Sequence, residues 1–353
     1  MSTPTVYDVA EQSGVSIATV SRVYRNPDSV RASTRERVLA AGRELGYVPS
    51  GSARGLASRT TGVLGLYFPD IHDAVAESVP TADDTELMLY ADQVIRGMER
   101  AARQHGYALL IAAAHAERAS EQLAEVAGRV DGLALLAQTG IASEDLEVIS
   151  RRLPVVMLAG DRDSDHDHDH DHIEVANFDG QLELTRHLIA DHRLRRLAFI
   201  GGPSDSPDGE ARFRGFQAAH LEAGLPLPRQ PDARGDLTQD AGRRAVEGLL
   251  DLPGQRPQGL VLANDQMAVG ALHALASHGI SVPGDMAVTG FDGIPLSRVV
   301  RPALTTVRQP MGRLGQEAVE LLVARIADRQ RVSVARVLPV TLMRRASCGC
   351  ATQ

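Results

Sequence analysis

The chain has 353 residues, 43% of them hydrophobic, and a formal net charge of −8. It is too long for one ordinary core and apolar enough for two or three packed domains. No run of 18 apolar residues occurs, which excludes a membrane-spanning helix, and the N-terminus lacks a basic-then-apolar leader, so a cytoplasmic location is expected.

The acidity is unevenly spread. Residues 1–60 hold eight Arg against five acids, +3, and the remainder holds 29 Arg against 40 acids, −11. A small basic head on an acidic body suits a chain that meets phosphates with one end only. Within that head, Thr5 can cap a first helix, with Asp8 three residues on as the reciprocal acceptor. Val6, Val9 and Ala10 fall on one face of it. Gly14 ends it where the backbone needs positive φ, and Val15 fills the corner. Ser16 caps a second helix, in which Val20 and Val23 turn inward while Ile17, Ala18, Ser21, Arg22 and Arg25 form the outer face. A helix–turn–helix with a small, polar and basic outer face is the arrangement that docks in a DNA major groove. The alternative, a plain helical hairpin in a core, is disfavoured because the stretch is too short to bury much by itself.

A loop over Asn26–Ala32 leads to a third helix, which the capping pattern Ser33–Glu36 starts and Gly46 stops, with Val38, Ala41 and Leu45 as its apolar stripe. Residues 50–57 then carry Gly51, Ala53, Arg54, Gly55 and Leu56. Each glycine costs an isolated helix about 1 kcal/mol relative to Ala, so this segment reads as a connector that is helical only when docked. Leu56 on such a helix suits a wedge between base steps in the minor groove, and the bland alternative is a flexible tether.

The stretches DVA, GVS, TVSRV, TRERV and LGYVP, then AR-x-L and an apolar strand, occur here in register. This pattern resembles the start of the LacI/GalR family of bacterial transcription regulators, and the resemblance runs over nearly the whole chain. It implies a small all-α helix-turn-helix headpiece plus a two-lobed, periplasmic-binding-protein-like α/β effector domain. The expected division is 1–48 headpiece, 49–60 hinge helix and linker, 61–345 effector and dimerisation domain, and 346–353 a short tail.

From Gly62 the pattern turns to alternating βα. Strand-length apolar runs are Val63–Phe68, Tyr107–Ala112, Gly132–Leu136, Val155–Leu158, Leu197–Ile200, Leu260–Ala263 and Ala287–Phe291. Helix-length segments lie near 91–105, 117–129, 179–191, 210–223, 238–251 and 266–278. Such alternation implies parallel sheets covered on both faces, with ligand clefts at the carboxyl ends of the strands. The resemblance implies two sheets and three crossings between lobes. It also implies that Leu304–Pro310 forms a crossover and Arg345–Ser347 a last strand. Residues 71–87, longer and more acidic than a usual βα loop, read as a solvated insertion, with a flap over the cleft as the alternative.

Residues 161–172, DRDSDHDHDHDH, offer many metal ligands, His166, His168, His170 and His172 among them. No fixed spacing selects one geometry, and a surface connection is expected there, so specific metal binding is not the favoured reading. Cys348 and Cys350 form a CGC triplet; a cytosolic chain keeps them reduced, no further ligands can be placed from sequence, and they read as non-functional.

The resemblance implies that Ile17 and Ala18 read bases; both are apolar, which suits thymine methyls. Arg22 is the candidate for guanine, and Thr5, Ser16, Thr19, Ser21 and Asn26 join the DNA-binding set, mainly as phosphate contacts, with Ala53 and Leu56 in the minor groove. For an effector, Arg212, Asn264 and Asp292 match pocket positions, with Leu89 and Tyr90 from the first lobe and Leu237 where an aromatic residue is common. Arg, Asn and Asp together suit a polyhydroxylated ligand, because a hydroxyl both donates and accepts. Asn264 and Asp292 as plain helix caps are the competing assignment. Ala159 and Ala176 stand where acids are frequent, so the pocket is less acidic than usual for the resemblance.

The reading is a transcriptional regulator, expected to be a repressor. Its expected partners are a pseudo-palindromic double-stranded DNA operator, a small effector of carbohydrate type, and a second copy of itself as a homodimer. No cofactor and no membrane are expected. The alternative is a sugar-binding protein without DNA function, which has no use for residues 1–60. An enzyme is disfavoured, since there is no phosphate loop, nucleophile elbow or paired acid–base motif.

Overall fold

The computed structural model describes residues 4–48, 60–69, 89–114, 118–136, 141, 143–159 and 170–351. The connector residues Gly51, Ala53, Gly55 and Leu56, the 71–87 stretch, and His166 and His168 lie outside them. The chain divides into two compact units, 1–62 and 63–353.

In the first unit, α1 (Val6–Ser13) and α2 (Ile17–Arg25) meet at Gly14, and α3 (Ala32–Leu45) closes the core. Asp8 accepts from the Thr5 backbone N–H at 2.6 Å and from its hydroxyl at 2.7 Å, which holds the Asp8 carboxyl below the usual carboxylate range. Gly14 sits at φ 63°, ψ 36°, a left-handed turn that a side chain would strain. Ser16 Oγ accepts from the Thr19 N–H at 3.2 Å and so caps α2. Val9, Ala10, Val20, Val23, Val38 and Ala41 form the core. The third helix differs from expectation in its start. It begins at Ala32, with Arg31 at the cap position and no side-chain cap, so the Ser33–Glu36 box does not form. Gly46 ends it at φ 67°.

The second unit holds two six-stranded sheets. The first contains β1 (Val63–Pro69), β2 (Ala108–Ala114), β3 (Gly132–Leu136), β4 (Val155–Leu158), β5 (Asp171–Val175) and a late strand, β11 (Ala335–Leu338), in the order β11-β5-β4-β3-β1-β2. The second contains β6 (Leu197–Gly201), β7 (Ala233–Arg234), β8 (Gly259–Leu262), β9 (Ala287–Asp292), β10 (Thr305–Arg308) and β12 (Thr341–Met343), in the order β12-β10-β9-β8-β6-β7. All recorded pairings are parallel except β10 with β12. The helices α4 (Leu89–Gln104), α5 (Ala119–Ala127) and α6 (Ser143–Arg152) belong to the first lobe. The second lobe holds α7 (Asn177–Ala190), α8 (Pro207–Glu222), α9 (Gln239–Leu250), α10 (Asp265–Ser277) and the short α11 (Leu296–Val299). Then α12 (Met311–Ala327) returns to the first lobe, where Met311, Leu314, Ala318 and Leu322 join Leu64, Val94 and Met98 in one core. The chain therefore passes between sheets after β5, after β10 and after β11.

Four elements depart from the sequence expectation. Leu304–Pro310 contains a strand, β10, and only its end is a crossover. Arg345–Ser347 is not a strand: β12 ends at Met343, and residues 346–348 form a 3-10 turn. Residues 346–348 are also no loose tail. Ser347 and Cys348 are buried, Ser347 Oγ donates to the Val288 carbonyl at 2.5 Å, and it accepts from the Thr305 N–H at 2.8 Å. Finally, the Asp–His tract ends inside the sheet rather than on a surface connection. Asp171 opens β5 with no exposed surface, held by Arg325 at 2.9 and 3.1 Å, Arg331 at 3.1 Å and the Val334 N–H at 2.8 Å. The two-residue period places His172 on the opposite face from Asp171.

A buried carboxylate bound by two guanidinium groups loses far more when one member is removed than an exposed pair does. Asp171→Asn should therefore lower the stability of the α/β unit by about 3–5 kcal/mol. Glu222→Gln, which breaks the half-exposed pair with Arg186, should cost less than about 1 kcal/mol. Chemical denaturation of the two variants against the parent checks the ranking.

Candidate functional site: a recognition helix and a ligand cleft

On the headpiece, α2 presents one face outward. Val20 and Val23 are buried, whereas Ser16, Ile17, Ala18, Arg22 and Asn26 are exposed and Thr19 and Ser21 are half-buried. Ile17 is 40% exposed, beside exposed Ala18 at the start of the helix. Among the described residues Arg22 is in no ion pair. Thr5 is exposed at the start of α1, and next to it Tyr7 is 67% exposed. Sequence reasoning passed over Tyr7; its signal was an aromatic on the polar face of the first helix. Tyr24 turns the other way, edge-on to Tyr47 with ring centroids 5.7 Å apart. The side chain of Arg25 lies outside the described residues, as do Ala53 and Leu56.

In the α/β unit, both sheets share one winding. Their strand orders put switch points between β1 and β3 and between β6 and β8, where such sheets bind ligands at the strand carboxyl ends. The polar residues of the second lobe gather there. Arg212, on α8, is 6% exposed. Its Nε donates to Asn177 Oδ1 at 2.9 Å and its Nη1 to the Ala263 carbonyl at 2.6 Å. Its Nη2 lies 3.6 Å from Asp292 Oδ1, and its Cζ sits 3.9 Å above the centre of the Phe291 ring.

Asp292 ends β9 at φ 114° and is 5% exposed. Gln309 Nε2 donates to its Oδ1 at 2.6 Å. Burial pushes its carboxyl up to about 6, against the pull of the Arg212 guanidinium and the Gln309 amide. Behind it, Asp265 is fully buried, accepting from Thr306 Oγ1 at 2.5 Å and from the Ile294 N–H at 2.9 Å. Burial and the neighbouring Asp292 raise Asp265 well above the carboxylate range. Tyr90, from α4 of the first lobe, faces this same group. Its phenol is raised by burial, then by the Asp208 and Asp292 carboxylates, with Arg212 opposing.

Asn264 makes the helix cap: its Oδ1 accepts from the Met267 N–H at 2.9 Å at the start of α10, and its Nδ2 donates to the Leu237 carbonyl at 2.9 Å. An Asn after a strand and before a helix satisfies an otherwise orphan N–H, and the cap leaves one lone pair and one amide hydrogen of the side chain over. Asn264 thereby positions Leu237, whose backbone sits at φ 74° and whose side chain lies against Gly202. Ala159, at the end of β4, also has positive φ, 63°. Non-glycine residues in that region cost about 1–3 kcal/mol and gather at functional sites. The side chain of Leu89 lies outside the described residues. Asn177, Gln309, Phe291 and Asp208 were missed from sequence. The signal for Asn177 was a polar residue at a helix start after a strand; for Gln309 it was the segment read only as a crossover.

The comparisons with known proteins agree with this geometry. Residues 5–50 match the family model for bacterial regulatory proteins of the lacI family, and residues 185–348 match a periplasmic binding protein-like domain. The chain is 34% identical to catabolite control protein A of Priestia megaterium over 324 residues, covering 90% of this chain and 91% of that protein. It is 32% identical to the HTH-type transcriptional repressor CytR of Escherichia coli (strain K12) over 346 residues, covering 97% and 96%. Among solved structures, the lac repressor dimer bound to operator and the anti-inducer ONPF superposes with a TM-score of 0.81 at 27% identity over 98% of this chain and 99% of that one. A transcriptional regulator CelR–cellobiose complex matches with a TM-score of 0.70 at 30% identity, over 98% and 99%. With a helix-turn-helix head, two doubly wound lobes and this degree of full-length identity, the chain belongs to the lacI family of bacterial regulatory proteins.

Proposed function

We propose that this protein is a repressor that binds a pseudo-palindromic operator as a homodimer and releases or tightens its hold when a carbohydrate enters the cleft between its lobes. The observation that carries the DNA half is the outward face of α2, where apolar Ile17 and Ala18 and cationic Arg22 stay exposed beside a complete small core. Ile17 and Ala18 suit thymine methyls, and Arg22 suits the O6 and N7 of guanine. Ser16, Thr19, Ser21, Asn26 and Thr5 suit phosphates, which set register. The same division makes residues 1–48 the reading head, 49–60 the connector and 61–345 the sensor. We read it as a cytoplasmic binding protein rather than a catalyst.

The sensor half rests on the group around Arg212 and Asp292. Asp292 Oδ1 is engaged by Gln309 and Arg212, and its Oδ2 carries no hydrogen bond among the described residues. A ligand hydroxyl can donate there and accept from the guanidinium edge. Tyr90 and Leu237 supply apolar surface for the carbon face of a sugar ring. The solved CelR structure similar to this chain is a complex with cellobiose, in line with this ligand class. A thermal-shift screen of mono- and disaccharides identifies the ligand, since a binder raises the melting temperature by mass action.

Arg22→Ala should relax base preference at one position in each half-site and cost about 1–3 kcal/mol there. Binding to a randomised operator library checks this, and a uniform loss across sequences would reassign Arg22 to the phosphates. For the cleft, the sign follows from Asp292 being held up to about 6. The raised value favours the protonated folded state, so this group's contribution to stability is present at low pH and is lost as pH rises through about 6. A donating ligand hydroxyl prefers the ionised form. Sugar affinity should therefore rise between pH 5 and pH 7 with release of a proton, and Asp292→Asn should weaken binding and flatten that pH profile in calorimetric titrations.

A further inference from the structure

At the far end of α7 from Asn177, four side chains that sequence reading had set aside or passed over meet at one point. His187 lies in the last turn of α7 and His192 just beyond it. Cys348 ends the 3-10 turn at residues 346–348, and Cys350 is two residues further on. One ligand atom from each of the four lies within 4.8 Å of the others. His187 Nε2 is 3.5 Å from Cys348 Sγ and 3.4 Å from Cys350 Sγ. His192 Nε2 is 3.4 Å from Cys350 Sγ and 3.1 Å from His187 Nε2. We propose that His187, His192, Cys348 and Cys350 form a structural zinc site that fastens the C-terminal segment to the end of α7.

These four distances lie close to the edges of a zinc tetrahedron, and the remaining two pairs lie within 4.8 Å. Zinc–sulfur bonds of about 2.3 Å and zinc–nitrogen bonds of about 2.0–2.1 Å place S and N about 3.5 Å apart and two N about 3.3 Å apart on the edges of the tetrahedron. The donor set is two thiolates and two imidazoles, which selects zinc over hard cations. Four protein ligands fill the coordination shell, the mark of a structural rather than a catalytic site.

The supporting shell is also present. His187 Nδ1 lies 2.7 Å from Asp191 Oδ2, so the ring donates there and turns its Nε2 lone pair toward the sulfurs. Thr305 Oγ1 is 3.0 Å from Cys348 Sγ and can donate to a thiolate. Gly349, between the two cysteines, has φ 100°, which lets the side chains on either side of it, Cys348 and Cys350, face one point, and a Cβ there would lie 3.5 Å from the His192 ring. The pairing spans over 150 residues of chain. A spacing of His-x4-His fits zinc sites, but Cys-x-Cys lies outside the usual patterns, which is why sequence alone did not find it.

The test uses the full-length protein without an affinity tag. Elemental analysis of protein purified under reducing conditions should find one zinc per chain. Removing it with a chelator should lower the melting temperature of the α/β unit. Cobalt(II) added to the stripped protein should give the absorption of a tetrahedral centre together with a thiolate-to-cobalt charge-transfer band. That band also excludes the Asp–His tract as its source, since the tract has no sulfur, and a variant with His166, His168 and His170 changed to Asn should keep the zinc. Cys350→Ser and His192→Ala should reduce zinc to background. If these variants fail to fold, the cobalt spectrum of the parent protein still decides. Absence of zinc together with no charge-transfer band at equimolar cobalt would overturn the proposal, as would mass-spectrometric evidence that the two cysteines pair as a disulfide in freshly reduced and re-purified protein.

Discussion

A positive charge buried in the second lobe organises the sensor. Removing a guanidinium from water costs several kcal/mol unless every side of it is met. Around Arg212 an amide oxygen, a main-chain carbonyl, an aromatic face and a carboxylate do so. These partners come from the start of α7, the end of β8, and the last two residues of β9. Satisfying one ion therefore fixes the carboxyl ends of two strands against two helices. It also fixes Asp292, the group best suited to take a ligand hydroxyl, in a backbone conformation that it would not otherwise adopt.

The same helix, α7, links that centre to the C-terminal segment. Its first residue holds Arg212, and its last turn carries His187 beside the cysteines. The segment 346–348 is hydrogen-bonded to β9 and β10 through Ser347. The second lobe is thus closed by residues from the very end of the chain, while α12 and β11 are given over to the first lobe. Each lobe is completed by a piece that comes from beyond the other, so three connections link them.

The headpiece follows a different economy. Its core is small, and its stability leans on local devices: the Thr5–Asp8 bonds, the Ser16 cap and the left-handed glycines at 14 and 46. That leaves α2 free to keep Ile17 and Arg22 in solvent.

Local physics was legible in the sequence. Apolar periodicity placed the three headpiece helices and most βα units, because a helix or strand must turn one face inward wherever it sits. Cap and turn chemistry located Gly14 and Ser16, since orphan N–H groups and positive φ are settled within four residues. The tertiary structure decided whatever depends on partners far apart in sequence. That Asn264 reaches from its cap to the Leu237 carbonyl, 27 residues away, is set by the packing of the second lobe. Asp171 looked like part of a solvated tract until Arg325 and Arg331 were found around it. Cys348 and Cys350 looked idle until the fold set His187 and His192 against them. Short-range periodicity and hydrogen bonding are written in neighbouring residues; the meeting of charges and ligands more than a hundred residues apart is set only by how the sheets and helices pack.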